Sequence, residues 1–227
     1  MDCVMDHPLA WLAAGTVVIL VAERIFRRRI SERDMPWLVA VRDIVDEPHG
    51  RSVDLPVEIM PHLLLGDKRC ASDMAKMDAF GITHILNVAG TYGRASHTAA
   101  RHYLEIHAED EEGYPIVSQH LARASAFIRK ARDEGGRCLI HCQAGVNRSA
   151  CLAVAELMLS ERLPVVQAVA RAKRARGVLL SNHSFQAQLV ALARTNDLLG
   201  PEPNVSGRTL PKRPPRRSAA DALRGLG

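Results

Sequence analysis

Ten residues near the middle of the chain carry the clearest chemistry: His141-Cys142-Gln143-Ala144-Gly145-Val146-Asn147-Arg148-Ser149-Ala150. They follow a short apolar run, Cys138-Leu139-Ile140, and precede an apolar stretch of helical type, Cys151 to Leu159. Strand, tight loop and helix is a context in which backbone N–H groups converge on one point, and that point is an anion site at a helix N-terminus. A cysteine at the base of such a loop should be a thiolate at neutral pH, because helix N-terminal position and oriented amides lower thiol pKa values to roughly 3.5–7.5. A thiolate can attack phosphorus in line and carry the phosphoryl group covalently. Arg148, closing the loop, supplies a planar fork for phosphoryl oxygens and for the charge of the transition state. Gly145 permits the tight turn and close backbone approach. Gln143, Ala144, Gly145, Val146, Asn147 and Arg148 are therefore the expected phosphate-binding residues, with Cys142 as nucleophile.

Cys-x5-Arg with His141 before it and Ser149 after it resembles the signature of the cysteine-dependent protein phosphatases, and the flanking residues resemble the dual-specificity phosphatases among them. The resemblance extends to Leu63-Leu64-Leu65-Gly66, to Phe80-Gly81-Ile82-Thr83-His84-Ile85-Leu86-Asn87-Val88 and to Phe185-Gln186-Ala187-Gln188-Leu189, so it covers roughly residues 55 to 198. It implies that Ser149 assists departure of the cysteine sulfur and that His141 orients the loop rather than acting as a base. It also implies an aspartic acid about thirty residues before the cysteine, which protonates the leaving oxygen and later serves as base on water. The acidic run Glu109-Asp110-Glu111-Glu112 lies there, and Asp110, 32 positions before Cys142, is the expected acid.

The resemblance implies a phosphorylated protein as substrate, with phosphotyrosine as well as phosphoserine and phosphothreonine accepted. The loop lacks the lysines that phosphoinositide-directed relatives tend to carry. Asn147 also occurs in relatives acting on RNA 5′-triphosphate ends, so RNA-end and phospholipid substrates stay as alternatives, beside a phospho-binding pseudophosphatase. Only about 54 residues precede the catalytic part, so a docking domain is not expected and the chain is most similar to the small, atypical members.

The net charge of +5 is uneven. Residues 55–200 hold 17 basic and 14 acidic side chains, while residues 201–227 hold 6 and 2. The basic excess thus owes much to the tail and gives no ground to expect nucleic acid; a mildly positive catalytic part suits an acidic substrate. Five widely spaced cysteines, Cys3, Cys70, Cys138, Cys142 and Cys151, form no disulfide framework and point to a reducing compartment. Cys138 and Cys151 read as core residues, with trapping of an oxidised Cys142 as the other reading. No metal site and no cofactor are expected. His97, His102 and His107, five residues apart, fit no single face and read as surface or satisfied histidines.

The elements that must position this chemistry alternate. Strands are expected at Val57–Met60, Leu63–Leu65, Ile82–Val88, Tyr103–Ile106 and Arg137–His141, and helices at 72–80, 118–132, 148–160, 164–176 and 182–195. The pattern predicts a single α/β domain over residues 55–198, with a central mostly parallel or mixed sheet flanked by helices and the active loop beyond a strand's carboxyl end. Residues 31–54 read as a connector. Leu9 to Ala22 is an uncharged, mostly apolar run of fourteen residues followed by Arg27-Arg28-Arg29. It is short for a span of about 20 residues, and Asp2 and Asp6 argue against a cleaved signal. It reads either as a membrane anchor or surface helix within segment 1–30, or as a helix packed on the domain. With the arginines held inside, the catalytic domain would face the cytosol, and a cytoplasmic location is expected. Residues 199–227 read as a disordered basic tail. Within it, Leu210-Pro211-Lys212-Arg213-Pro214-Pro215-Arg216-Arg217 reads as a solvated tail, an import-receptor patch or an SH3-type ligand.

Overall fold

A computed structural model describes residues 31–48, 53–93 and 102–205. Five strands form one sheet: β1 (Val57–Met60), β2 (Leu63–Gly66), β3 (Ile82–Asn87), β4 (His102–Glu105) and β5 (Arg137–His141). Their order across the sheet is β1-β2-β5-β3-β4. Only the β1–β2 hairpin is antiparallel; the β2–β5, β5–β3 and β3–β4 pairs are parallel. The α/β expectation holds, and β5, the strand that feeds the active loop, is central.

Alternation along the strands divides the core in two. Leu63, Leu65, Leu86, Cys138 and Ile140 face one helical layer. Leu64, Ile85 and Leu139 face the other, where Cys70, Ala71 and Met77 cover them. The larger layer comprises α1 (Met35–Asp46), α4 (Ile116–Asp133), α5 (Arg148–Glu161), α6 (Val165–Arg176) and α7 (His183–Thr195). Every residue of α5 from Ser149 to Met158 is buried. A helix apolar nearly all round belongs inside a domain, and the small side chains of Ala150, Ala153 and Ala155 let its neighbours approach.

Two expectations need correction. The helix expected at 72–80 is present as Met74–Ala79 (α3), but a short helix that was not expected, Lys68–Ser72 (α2), precedes it. Asp67 accepts from Cys70 N and Asp73 from Lys76 N, so each aspartate begins a new helix. The connector expected over 31–54 contains α1, with Pro36 in its first turn and Leu38, Val39, Val41 and Val45 buried. Its flanking acids and proline mask an apolar face at 3–4 residue spacing. That face packs on α6 and α7, where Lys173 Nζ donates to Val45 O at 2.6 Å and Arg42 Nε to Gln186 Oε1 at 3.3 Å. Asp34 forms an ion pair with Arg194.

Among the described residues no helix is long and apolar enough to cross a membrane. Leu9 to Ala22 and the Leu210–Arg217 patch lie outside the described residues.

Candidate active site

The loop 142–147 joins β5 to α5, and its carbonyls are engaged from outside. Gln143 O accepts from Lys68 N at 3.3 Å, and Val146 O from Leu180 N at 2.8 Å. Arg176 takes the two between, donating from Nη2 to Ala144 O and from Nε to Gly145 O, both at 3.1 Å. In a trans peptide the following N–H points opposite its carbonyl. Four carbonyls turned outward therefore turn the N–H groups of residues 144 to 147 toward the hollow of the loop. Gly145, at φ +64°, makes this curvature available: a Cβ there would meet Gly66 O at 2.4 Å.

Cys142 sits at the base of that hollow, 2% exposed. Burial pushes its thiol pKa up. The Ser149 hydroxyl, backbone groups of Ser149 and Val146 and the charge of Arg148 together outweigh burial, so the net shift is downward. Ser149 Oγ donates to Cys142 Sγ at 3.2 Å. The other described thiols behave in the opposite way: Cys70 is pushed up to about 11 by burial, and full burial drives Cys138 and Cys151 up as well. One thiol of the four thus has the character of a nucleophile. His141 is fully buried and its pKa is depressed to about 4, chiefly by desolvation. It is neutral at pH 7, and its Nδ1 donates to Cys142 O at 3.2 Å.

Arg148 is the first residue of α5. Its Nη1 donates to Ala108 O at 3.3 Å, tying it to the segment after β4. Its buried Nε makes no hydrogen bond and faces Asp110 Oδ2 at 3.7 Å. Of the four consecutive acids, Asp110 is the one brought to the loop: Asn147 Nδ2 donates to its Oδ2 and Asn182 Nδ2 to its Oδ1, each at 3.3 Å. Glu112 instead accepts from the His183 and Ser184 N–H groups at the start of α7. Cys142, Arg148, Asp110, Ser149 and His141 are thus assembled at one place.

Asn147 precedes α5 but does not cap it. Its Oδ1 accepts from Ser181 Oγ and Asn182 N, both at 3.1 Å, so it bridges the loop, the acid and the start of α7. Two participants escaped sequence reasoning. Arg176 is one of several cations between Arg171 and Arg176, and nothing in that run marks it. Asn182 carried a legible signal as N-cap of α7, accepting from Ser184 N and Phe185 N, but nothing in the sequence linked it to an acid 72 residues away. Beside the loop lies an open groove lined by Asp67, Lys68, Arg69, Ser72, Asp73, Met74, Gln143 and Ala144.

Residues 63–195 match the family described as dual specificity phosphatase, catalytic domain. The chain is 39% identical over 137 residues to dual specificity protein phosphatase 2 of Mus musculus, covering 60% of this chain and 42% of that protein. It is 39% identical over 142 residues to dual specificity protein phosphatase 26 of Bos taurus, covering 60% of this chain and 66% of that protein. The chain thus spans under two thirds of the length of either relative. The crystal structure of human DUSP28 superposes with a TM-score of 0.58 at 27% identity, covering 65% of this chain and 99% of that one. Sequence, fold and loop agree: the chain belongs to the dual specificity phosphatase family.

Proposed function

We propose that this protein hydrolyses phosphate monoesters on phosphotyrosine, phosphoserine and phosphothreonine side chains of proteins through a phosphocysteine intermediate. The observation that carries the reading is the Cys142 thiol, buried yet shifted toward the thiolate, at the centre of a loop whose N–H groups turn inward. The phosphoryl group sits on those N–H groups, with the guanidinium of Arg148 across two of its oxygens. Cys142 Sγ attacks phosphorus as the ester oxygen leaves, and Asp110 gives that oxygen a proton. In the second step Asp110 takes a proton from water, water attacks the phosphocysteine, and Ser149 Oγ, already bonded to Sγ, steadies the departing thiolate. His141, neutral and bonded to Cys142 O, holds the base of the loop. The groove beside Gln143 and Ala144 carries both signs of charge, from Asp67, Lys68, Arg69 and Asp73, which suits residues flanking a phosphorylated side chain in a polypeptide.

The test is hydrolysis of p-nitrophenyl phosphate, phosphotyrosine and phosphothreonine peptides, RNA 5′-triphosphate and phosphoinositides with EDTA present. Phosphopeptide turnover should lead, vanish in Cys142→Ser and fall about 10²–10⁴-fold in Asp110→Asn, the span that general acid catalysis supplies. Preference for RNA ends or lipids would overturn the substrate class. Phosphopeptide binding without turnover would make the chain a phospho-binding pseudophosphatase.

A further inference from the structure

β3 and β4 pair in parallel with His84 directly opposite His102. The two imidazoles stack, their centroids 4.5 Å apart. Glu134, at the C-terminal end of α4, reaches both: its Oε2 lies 3.2 Å from His84 Nε2 and 3.7 Å from His102 Nε2. The three donor atoms all lie within 4.8 Å of one another. By spacing alone His102 reads as a surface or satisfied histidine; its partners come from a strand and a helix that linear spacing does not reveal.

His84 is the informative member. It is 1% exposed, and its Nε2 makes no hydrogen bond. The other ring nitrogen, Nδ1, lies 2.9 Å from Thr83 Oγ1. That hydroxyl accepts from Arg137 N at 3.1 Å and can give its single proton either to Arg137 O at 3.4 Å or to His84 Nδ1. Thr83 Oγ1 therefore either donates to Nδ1 or accepts from it, and the ring proton sits on Nε2 in the first case and on Nδ1 in the second. In the Nδ1–H form, Nε2 presents a bare lone pair to a carboxylate oxygen 3.2 Å away, and a cation between them would satisfy both.

We propose that His84, His102 and Glu134 bind a divalent transition cation of zinc type. Two imidazoles and a carboxylate match its borderline-soft preference. Donors at roughly 2.0–2.2 Å from a tetrahedral zinc lie about 3.3 Å from one another, close to the separation of His84 and Glu134. His102, whose side chain is 57% exposed, must rotate out of its stack with His84 to bring its nitrogen from within 4.8 Å of the other two donors to that spacing. A water completes the set. Thr83 fixes the ring of His84, and Lys130 Nζ, 3.7 Å from Glu134 Oε1, holds the other carboxylate oxygen, the kind of outer support that metal ligands need. The site lies at the amino ends of β3 and β4, whereas Cys142 lies beyond the carboxyl end of β5. It therefore joins edge strand β4 to β3 and α4 without entering the phosphate site.

The experiment uses the full chain with Cys142→Ser, which removes the reactive thiolate as a competing zinc ligand. After EDTA treatment and gel filtration, zinc chloride is titrated, and bound metal per chain and melting temperature are recorded. One equivalent retained through dialysis, with a higher melting temperature, is expected. His102→Gln and Glu134→Gln, both at partly exposed positions, should keep the circular dichroism spectrum and lose that equivalent and the thermal shift. Cobalt(II) should give a tetrahedral visible spectrum in the parent and not in either variant. Equal zinc retention and equal shift in the parent and both variants would overturn the site.

Discussion

At the scale of single residues, the central contest is over the Cys142 proton. Burial alone drives a thiol toward the neutral form, as it does for Cys138 and Cys151. At Cys142 the order reverses because hydrogen bonds to the sulfur and the charge of Arg148 favour the thiolate. Ser149 heads those favourable contributions, so Ser149→Ala should leave burial to act with less opposition. The thiol pKa then rises, and the acid limb of the pH–kcat/KM profile moves to higher pH. The midpoint of alkylation by iodoacetamide moves the same way, measured on free enzyme. A hydrogen bond to a charged group contributes about 1.5–3 kcal/mol, which corresponds to a loss of roughly tenfold or more in kcat/KM below the original midpoint. Phosphocysteine should also persist longer in a quench experiment, because the departing sulfur loses its donor. An unmoved alkylation midpoint would mean that the backbone groups of Ser149 and Val146 suffice.

At the scale of elements, one asparagine joins two tasks. Asn182 caps α7 through its side-chain oxygen and holds Asp110 through its side-chain nitrogen. Substitutions separate these. Asn182→Asp keeps a good cap but exchanges the amide donor for a second carboxylate beside Asp110. Asp110 loses a tether and meets a like charge in its place, so it is no longer held over the loop and turnover should fall with little change in melting temperature. Asn182→Ala removes both functions and should also lose about 1 kcal/mol of stability by denaturant titration. Equal stability loss in the two variants would mean that the cap is not what Asn182 supplies. The loop, its flanking strand and α5 were legible because nucleophile, anion site and helix start lie within ten consecutive residues. The acid was legible only as one of four, since a loop's sequence does not say which side chain turns inward; Asn147 and Asn182 select Asp110. Arg176 was illegible because its contribution is a contact with Ala144 O and Gly145 O across more than thirty residues. Likewise, the pairing of His84 with His102 is a register between parallel strands, which the spacing of residues along the chain does not give.

At the scale of the whole molecule, the domain begins before the family's matched segment does. Residues 63–195 carry the family likeness, yet α1 lies upstream and buries Leu38 and Val41 to 2% and 0% exposure. Its partners are α6, which carries Arg176, and α7, which begins at the cap that holds Asp110. A segment that contributes side chains to the same core as α5 and β5 should unfold with it rather than fray on its own. Leu38→Ala in the full chain tests this. Truncation of a buried leucine costs about 2–5 kcal/mol where the neighbours cannot collapse, so a single cooperative denaturant transition should move to lower concentration with its slope preserved. Well below that transition, kcat/KM should stay within about twofold, because Leu38→Ala leaves in place the contacts that α1 makes one turn from Arg176 and Asn182, Lys173 to Val45 O and Arg42 to Gln186. A stability loss of a few tenths of a kcal/mol or less would return α1 to the status of a connector. A full loss of stability together with a steep drop in kcat/KM would instead mean that α1 sets the position of α6, and through Arg176 the curvature of the phosphate loop.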